Sequence, residues 1–366
     1  MKITRIDVFR FGYTAIGGGL TLSGGRVARG QDSTIVKVST DEGLVGWGEE
    51  CPFSPTYMVA FAEGARAAIR EIAPALLGAD PRQIEPVYAR MDGVLQGHAY
   101  AKSALDMACW DLLGQAVGLP VSELLGGTFH PEFPLYTMVS VGPPERMREE
   151  ARGLLEQGYR RAQIKVGGDW REDVRRVRAC LEVLGDMEVV IADANAHWRQ
   201  HEAAQVVAAL EDTPIYVEQP CRPLAACVAV RRRSQRPFIL DESLSDLDAL
   251  LEARRADGMD AAMLKLSRFG GISRLRLARD LCQQWGLAVT IEDSGGGDIV
   301  SAAMAHLAAS TRPGHLLNGS LINVNVNEHL ADGPHAERGR GRAPTGPGLG
   351  IRVDEAALGA PLFTVR

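Results

Sequence analysis

The chain lacks a long apolar run, paired cysteines and a marked excess of either charge, and each absence removes a class of function. No uninterrupted hydrophobic stretch nears the roughly 20 residues of a transmembrane helix, so no membrane partner is expected. The opening MKITRIDVFRF alternates polar and apolar residues, which reads as a strand and not as a signal peptide. The 6 cysteines are scattered without a CxxC pair, which argues against a zinc site or disulfide framework and for reduced thiols in a cytoplasmic protein. With 40 Lys and Arg against 46 Asp and Glu, the formal net charge is −6. No basic run suits nucleic acid, and RRRS at 231–234 reads as a solvated helix face. The Gly-rich stretch GGGLTLSGGRVARG (17–30) lacks the GK[ST] ending of a phosphate loop, so it is expected to form a lid over a site elsewhere.

What is present is enough for a large core. Hydrophobic residues make up 46% of 366, which allows two domains or one barrel with an appendage. In residues 1–125, ITRIDVFRF, TIVKVSTDEG and LVGWGEE read as antiparallel strands with DEG as a hairpin turn. Ala-rich segments at 59–77 and 99–118 read as helices, the second with Ala104, Met107, Ala108 and Leu112 at core spacing. From about 133 onward the pattern changes to apolar runs alternating with helical segments. FPLYTMVSV, RAQIKV, MEVVIADAN, PIYVEQP, PFILDES, AAMLKLS, GLAVTIEDS and HLLNGSL supply the eight strands that close a (β/α) barrel. The tail GPGLGIRVDE reads as one further strand. The expectation is an α/β protein with an α+β cap at 1–125, a barrel at 126–340 and a C-terminal segment, 341–366, returning to the cap.

Five ionisable residues end five of these runs in the order Lys165, Asp193, Glu218, Asp241, Lys265, and the acids are 25 and then 23 residues apart. One strand plus one helix separates each from the next, which places them together at the barrel mouth, where chemistry is found in this architecture. A single Asp at a strand end is ordinarily a helix cap. Three acids in register, flanked by lysines in register, are harder to explain that way. Period-two alternation puts Gln163 with Lys165, and Asn195 with Asp193, on the same face. Converging carboxylates repel unless a cation joins them, and oxygen-only donors suit a hard ion such as Mg²⁺. A lysine is too basic to accept a proton near neutrality unless its surroundings lower its pKa. The combination points to a metal-assisted removal of the proton α to a carboxylate.

At these residues the sequence resembles the enolase superfamily, in its mandelate racemase/muconate lactonizing enzyme group, over essentially the whole length. SALDMACWDLLGQAVGLPVSELLGG (103–127) is also similar to that family's bridge from cap to barrel. The resemblance implies a modified (β/α)7β TIM-type barrel. It implies metal ligands at Asp193, Glu218 and Asp241, acid/base lysines at Lys165 and Lys265, and a dimeric or octameric homo-oligomer. One departure stands out: the group usually carries Lys-x-Lys on the second barrel strand, where this chain has Gln163-Ile164-Lys165. The seventh strand ends TIEDSGGGD, without the histidine of the acid-sugar dehydratases, and offers Glu292 and Asp293 for a cationic nitrogen instead. EDSGGGDI, LKLSRFGG and EECPFSPTYMVAFAEG look like the branch acting on proline derivatives, the cis-3-hydroxy-L-proline dehydratases above all. The implied partner is a small amino-acid-type carboxylate. Gln163, Asn195, Glu292, Asp293 and Tyr57 are expected to bind it, and Tyr57 and the 17–30 lid are expected to set specificity. Epimerisation of proline, its betaine or a small N-substituted amino acid is the alternative outcome. Muconate-type cycloisomerisation is weaker, because an acidic seventh strand suits a dianion poorly.

Overall fold

The computed structural model describes residues 1–25, 27–55 and 57–366. Its N-terminal part is an antiparallel sheet of β1 (Ile3–Thr14), β2 (Gly30–Thr40) and β3 (Val45–Glu50), followed by α1 (Ala62–Ile72), α2 (Ile84–Val94) and α3 (Ala99–Val117). Asp41, Glu42 and Gly43 turn the chain between β2 and β3, and Gly43 takes the positive φ of +79° that the tight turn requires. Ile3, Ile6, Val8, Val36 and Val38 line the sheet face that packs on Ile69, Ile72, Ala104 and Ala108. The contact is close because β3 carries glycine where α3 crosses it. A Cβ on Gly48 would lie 1.8 Å from the Ala104 carbonyl oxygen, and one on Gly46 would lie 2.3 Å from that of Ala108.

Helix α3 is also the joint to the second part. Asp111 accepts hydrogen bonds from Trp47 N at 3.0 Å and Leu349 N at 2.8 Å, and Trp110 Nε1 donates to Ser273 Oγ at 2.9 Å. Ala104, Met107, Ala108 and Leu112 are fully buried, in agreement with their helical spacing.

Eight parallel strands follow among the described residues: β4 (Thr137–Val139), β5 (Arg161–Lys165), β6 (Val189–Asp193), β7 (Ile215–Glu218), β8 (Phe238–Leu240), β9 (Ala261–Lys265), β10 (Ala288–Glu292) and β11 (Leu316–Gly319). Neighbours in space follow chain order, and a parallel bridge between Leu135 and Gly319 joins the two ends of the sheet into a barrel. Helical crossovers separate consecutive strands and none follows the last, which gives the (β/α)7β form. Alternation decides what faces where. Val189, Ile191, Ile239, Ala261 and Met263 form the interior cluster with Tyr136 and Leu317, while Ala162, Ile164, Val190, Ala192 and Leu264 pack beneath the surrounding helices. Residues two further along the inward series therefore reach the C-terminal mouth.

The tail differs from its expected form. Residues 346–355 make only isolated bridges, Pro120 with Gly348 and Ala331 with Val353, and Gly348 and Gly350 hold φ of +71° and +68°. Left-handed glycines interrupt the extended backbone that a ladder needs. The strand forms later, as β12 (Phe363–Val365), pairing antiparallel with Ile6–Val8. The Gly-rich 17–30 stretch contains a two-residue hairpin, Leu20–Thr21 with Val27–Ala28, and Arg26 lies outside the described residues.

The glycine contact between β3 and α3 is directly testable. Gly48→Ala should lower unfolding free energy by about 1–3 kcal/mol, the usual cost of overpacking a tight interface. Urea denaturation checks it, and a variant as stable as the parent would show that sheet and helix can part at no cost.

Candidate active site

One side of the barrel mouth is built from the ends of β5, β6 and β7. Register pairs Lys165 with Asp193 and Asp193 with Glu218, so the three side chains rise from adjoining strand ends. Lys165 Nζ donates to Asp193 Oδ2 at 2.6 Å, and Gln163 Nε2 donates to Glu218 Oε2 at 2.8 Å. Beyond β6 the chain turns through Asn195 and Ala196, both with positive φ (+44° and +63°). That turn brings Asn195 N to Asp193 Oδ1 at 2.8 Å and Asn195 Nδ2 to Asp193 Oδ2 at 2.9 Å. Ser23, in the Gly-rich segment, donates its hydroxyl to Asn195 Oδ1 at 2.9 Å, so that segment does lie over the mouth.

The opposite side is built from the ends of β8, β9 and β10. Lys265 Nζ lies 3.0 Å from Asp241 Oδ2 and 3.3 Å from Glu292 Oε2. Tyr57, from the N-terminal part, enters this cluster. Its hydroxyl accepts from Lys265 Nζ at 2.8 Å and donates to Asp241 Oδ2 at 3.1 Å. Arg268 donates to Asp241 Oδ1 and to the Asp241 carbonyl oxygen, both at 2.7 Å. The Tyr136 hydroxyl donates to Glu292 Oε1.

Electrostatics at the mouth is governed by burial and by the sum of nearby charges. Burial lowers the pKa of both lysines, but the carboxylates overcome it. Asp193 and Glu218 hold Lys165 above the ordinary lysine value, and Asp241 holds Lys265 well above it. The protein's own side chains therefore favour the protonated lysines, the opposite of what burial alone would do. Asp241 resists the upward push of burial and is held below the usual carboxylate range by Lys265 and Arg268. Glu218 is pushed well above it by burial, Asp193 and Asp241, and Glu242 is pushed up to about 8 by burial and the same two aspartates.

Among the described residues, no three His, Cys, Asp or Glu side chains converge into a finished cation cage. The donors nonetheless fit a hard divalent ion. Three buried carboxylates stand on successive strand ends, Glu218 has a neutral partner in Gln163, and the buried oxygens Gln163 Oε1 and Glu242 Oε2 have no hydrogen-bond partner. A cation among them would relieve the repulsion that raises Glu218.

The residues singled out from sequence thus divide in three. Lys165, Asp193, Glu218, Gln163 and Asn195 form one cluster, and Lys265, Asp241, Glu292 and Tyr57 form the other. Asp293 stands apart. Its oxygens accept from Ser267 Oγ at 2.6 Å, Ser267 N at 3.0 Å and Ser294 N at 2.7 Å, so it braces the loop after β9. Sequence reasoning missed Arg268, Tyr136 and Glu242. Arg268 lies one helical turn past Lys265 and Glu242 directly follows Asp241, so proximity to the motif residues was the available signal. Nothing in the run FPLY marks Tyr136. A cavity of about 550 Å³ opens beside the second cluster, with Tyr57, Tyr100, Asn195, Glu242 and Arg268 on its wall.

Comparison with known proteins identifies the family. Residues 21–126 match the mandelate racemase/muconate lactonizing enzyme N-terminal domain, and residues 146–357 match the enolase C-terminal domain-like family. The chain is 41% identical over 363 residues to cis-3-hydroxy-L-proline dehydratase of Roseibium aggregatum, covering 99% of both chains. It is 30% identical over 336 residues to N-succinyl-L-Arg/Lys racemase of Bacillus cereus, covering 89% of each. An enolase-superfamily member from Roseovarius nubinhibens ISM, solved in complex with magnesium, superposes with a TM-score of 0.94 at 36% identity, covering 100% of this chain and 99% of that one. The protein is therefore an enzyme of the enolase superfamily, in the mandelate racemase/muconate lactonizing enzyme group.

Proposed function

We propose that the enzyme removes the α-proton of a carboxylate substrate and that its reaction is the dehydration of cis-3-hydroxy-L-proline to Δ1-pyrroline-2-carboxylate. The observation that carries the reading is the placement of Lys165 and Lys265 at opposite sides of one carboxylate-lined mouth, each within 3.0 Å of a different aspartate. The 41% identity over nearly the full length to a dehydratase of that substrate supports the choice of substrate.

Asp193, Glu218 and Asp241 would hold a divalent cation. When bound, it would neutralise the carboxylates that keep the lysines protonated and stabilise the negative charge of an enolised carboxylate. One lysine takes the proton from C2, and the C–H electron pair moves into the carboxylate to give an enediolate. Collapse of the enediolate breaks the C3–O bond, and the departing hydroxyl takes a proton and leaves as water. The enamine then tautomerises to the ketimine, so the net change is loss of one water. Glu292, beside Lys265, supplies negative charge for the cationic ring nitrogen. Gln163 and Asn195 orient the first cluster, the Gly-rich segment closes over it, and Tyr57 closes over the second. The six cysteines are free thiols, which accords with a cytoplasmic enzyme.

The paired lysines also favour a second reading, 2-epimerisation of proline or an N-substituted relative, in which the opposite lysine returns a proton to the other face. The 30% identity to an N-succinyl-amino-acid racemase supports it. Incubation of the purified enzyme with Mg²⁺ and proline derivatives in D₂O separates the two. Dehydration should convert cis-3-hydroxy-L-proline to a product lighter by one water, seen by mass spectrometry, with the ketimine visible by NMR. Deuterium at Cα without any unsaturated product would sink the dehydration reading and favour epimerisation.

The lysine roles have their own check. Lys165→Ala and Lys265→Ala should each fold normally by circular dichroism. The variant that lacks the base should turn over the true substrate at least about 10²-fold more slowly, as loss of a general base implies. Full activity in both variants would overturn the mechanism.

A further inference from the structure

Between the strand ends that carry Glu218 and Asp241 lies a side chain with no chemistry of its own. Gln219 is fully buried and sits at φ +33°, a left-handed conformation unusual for a residue other than glycine. Its backbone joins three strand ends. Gln219 N donates to Ile239 O at 3.0 Å, and Gln219 O accepts from Ala196 N at 2.8 Å. Its carboxamide joins two of them again. Oε1 accepts from Asp241 N at 2.9 Å and Ser243 N at 3.1 Å, and Nε2 donates to Cys221 O at 2.9 Å and Ser243 Oγ at 2.7 Å. Two acceptor positions and two donors exhaust what a primary amide can offer. Left-handed backbone at a non-glycine residue is strained and persists only where the surroundings enforce it. Here the enforcing contacts run mainly to the segments that carry Asp193, Glu218 and Asp241, with one further contact from Nε2 to Cys227 Sγ at 3.7 Å.

We propose that Gln219 is a positioning residue that fixes the separation of Glu218 and Asp241, and with it the affinity for a divalent cation. The inference rests on the reading that these carboxylates hold one. An amide is required because the site presents two N–H donors and two oxygen acceptors at once. A carboxylate there would satisfy the donors but face the Cys221 carbonyl with like charge, and a thioether would satisfy neither. The amide's Oε1 is bonded directly to the peptide N–H of Asp241, so its loss lets that carboxylate shift relative to Glu218 and Lys265.

Mn²⁺ affinity of the purified full-length protein, read by electron paramagnetic resonance without substrate, tests the proposal. Gln219→Met should weaken Mn²⁺ binding about 10- to 100-fold, the usual effect of removing a group that orients metal ligands. Gln219→Glu, which keeps the acceptor for Asp241 N, should lose less. Ser243→Ala removes one partner of the amide and should weaken binding by a smaller factor still, which keeps the test alive if Gln219→Met fails to fold. Glu218→Gln is the control on the underlying reading. If it leaves Mn²⁺ affinity intact, the cation site itself is wrong. If it weakens binding while folded Gln219→Met stays within twofold of the parent, only the role of Gln219 is overturned. Unfolded Gln219→Met together with parental affinity in Ser243→Ala overturns it equally.

Discussion

Buried like charge at the barrel mouth is the constraint to which the rest of the structure answers. Asp193, Glu218 and Asp241 are each at most 1% exposed, and carboxylates taken out of water are costly unless something of opposite sign or a hydrogen-bond donor meets them. The protein meets them asymmetrically. Asp193 has Lys165 and the Asn195 amides, and Asp241 has Lys265, Arg268 and the Tyr57 hydroxyl. Glu218, between them, accepts from the neutral amide of Gln163, and burial and both aspartates drive its pKa up against the opposing charge of Lys165. The middle position is thus where a cation gains most, and it is also where the usual first lysine of the family is replaced by glutamine. A lysine there would have competed with the ion for Glu218, whereas a glutamine adds no charge and leaves Lys165 as the cation acting on it.

The scaffold turns this local problem into a stable one by making each charged residue the last inward-facing member of a strand. Below Asp193 the inward series is Val189 and Ile191, and below Lys265 it is Ala261 and Met263, all apolar and packed in the interior. These strands therefore fold around ordinary hydrophobic layers, although Gln163 and Thr290 bring buried polar groups one inward position below Lys165 and Glu292. The N-terminal part closes the site from above through Tyr57 and Ser23, so the tight glycine contact between β3 and α3 bears on the site at a distance. A shift of the sheet relative to α3 would carry both side chains with it.

Period-two alternation and the spacing of one strand plus one helix were visible in the chain, and they placed Lys165, Asp193, Glu218, Asp241 and Lys265 at one mouth. Both signals are properties of local sequence. What was not visible depends on loop conformation. Asp293 looked equivalent to Glu292, yet the turn after β10 directs its oxygens to Ser267 and Ser294. Arg268 carries no periodic signal of its own, and the single helical turn Leu266–Phe269 buries it against Asp241. The tail looked like a strand because Leu349, Ile351 and Val353 alternate, but the glycines among them adopt left-handed φ and defer the pairing to Phe363–Val365.

On the proposed reading, the same distinction separates the reaction from its substrate. Proton abstraction needs charges at fixed heights around the barrel, which the strands supply and any member of the group can share. Recognition of a ring nitrogen needs one negative charge close to the base that is not committed to the divalent ion, and no second one on the same strand competing for the same cation. Glu292 satisfies the first condition, at 3.3 Å from Lys265 Nζ. The capture of Asp293 by Ser267 satisfies the second, because it removes the adjacent carboxylate from the mouth. A substrate with one carboxylate and one cationic nitrogen then matches the site in both sign and number of charges. A dicarboxylate would bring its second anion against Glu292, with Tyr136 already committed to that same side chain. On that reading the acidic seventh strand would discriminate by repulsion as much as by attraction, which is how a mouth built from common parts can serve one substrate class.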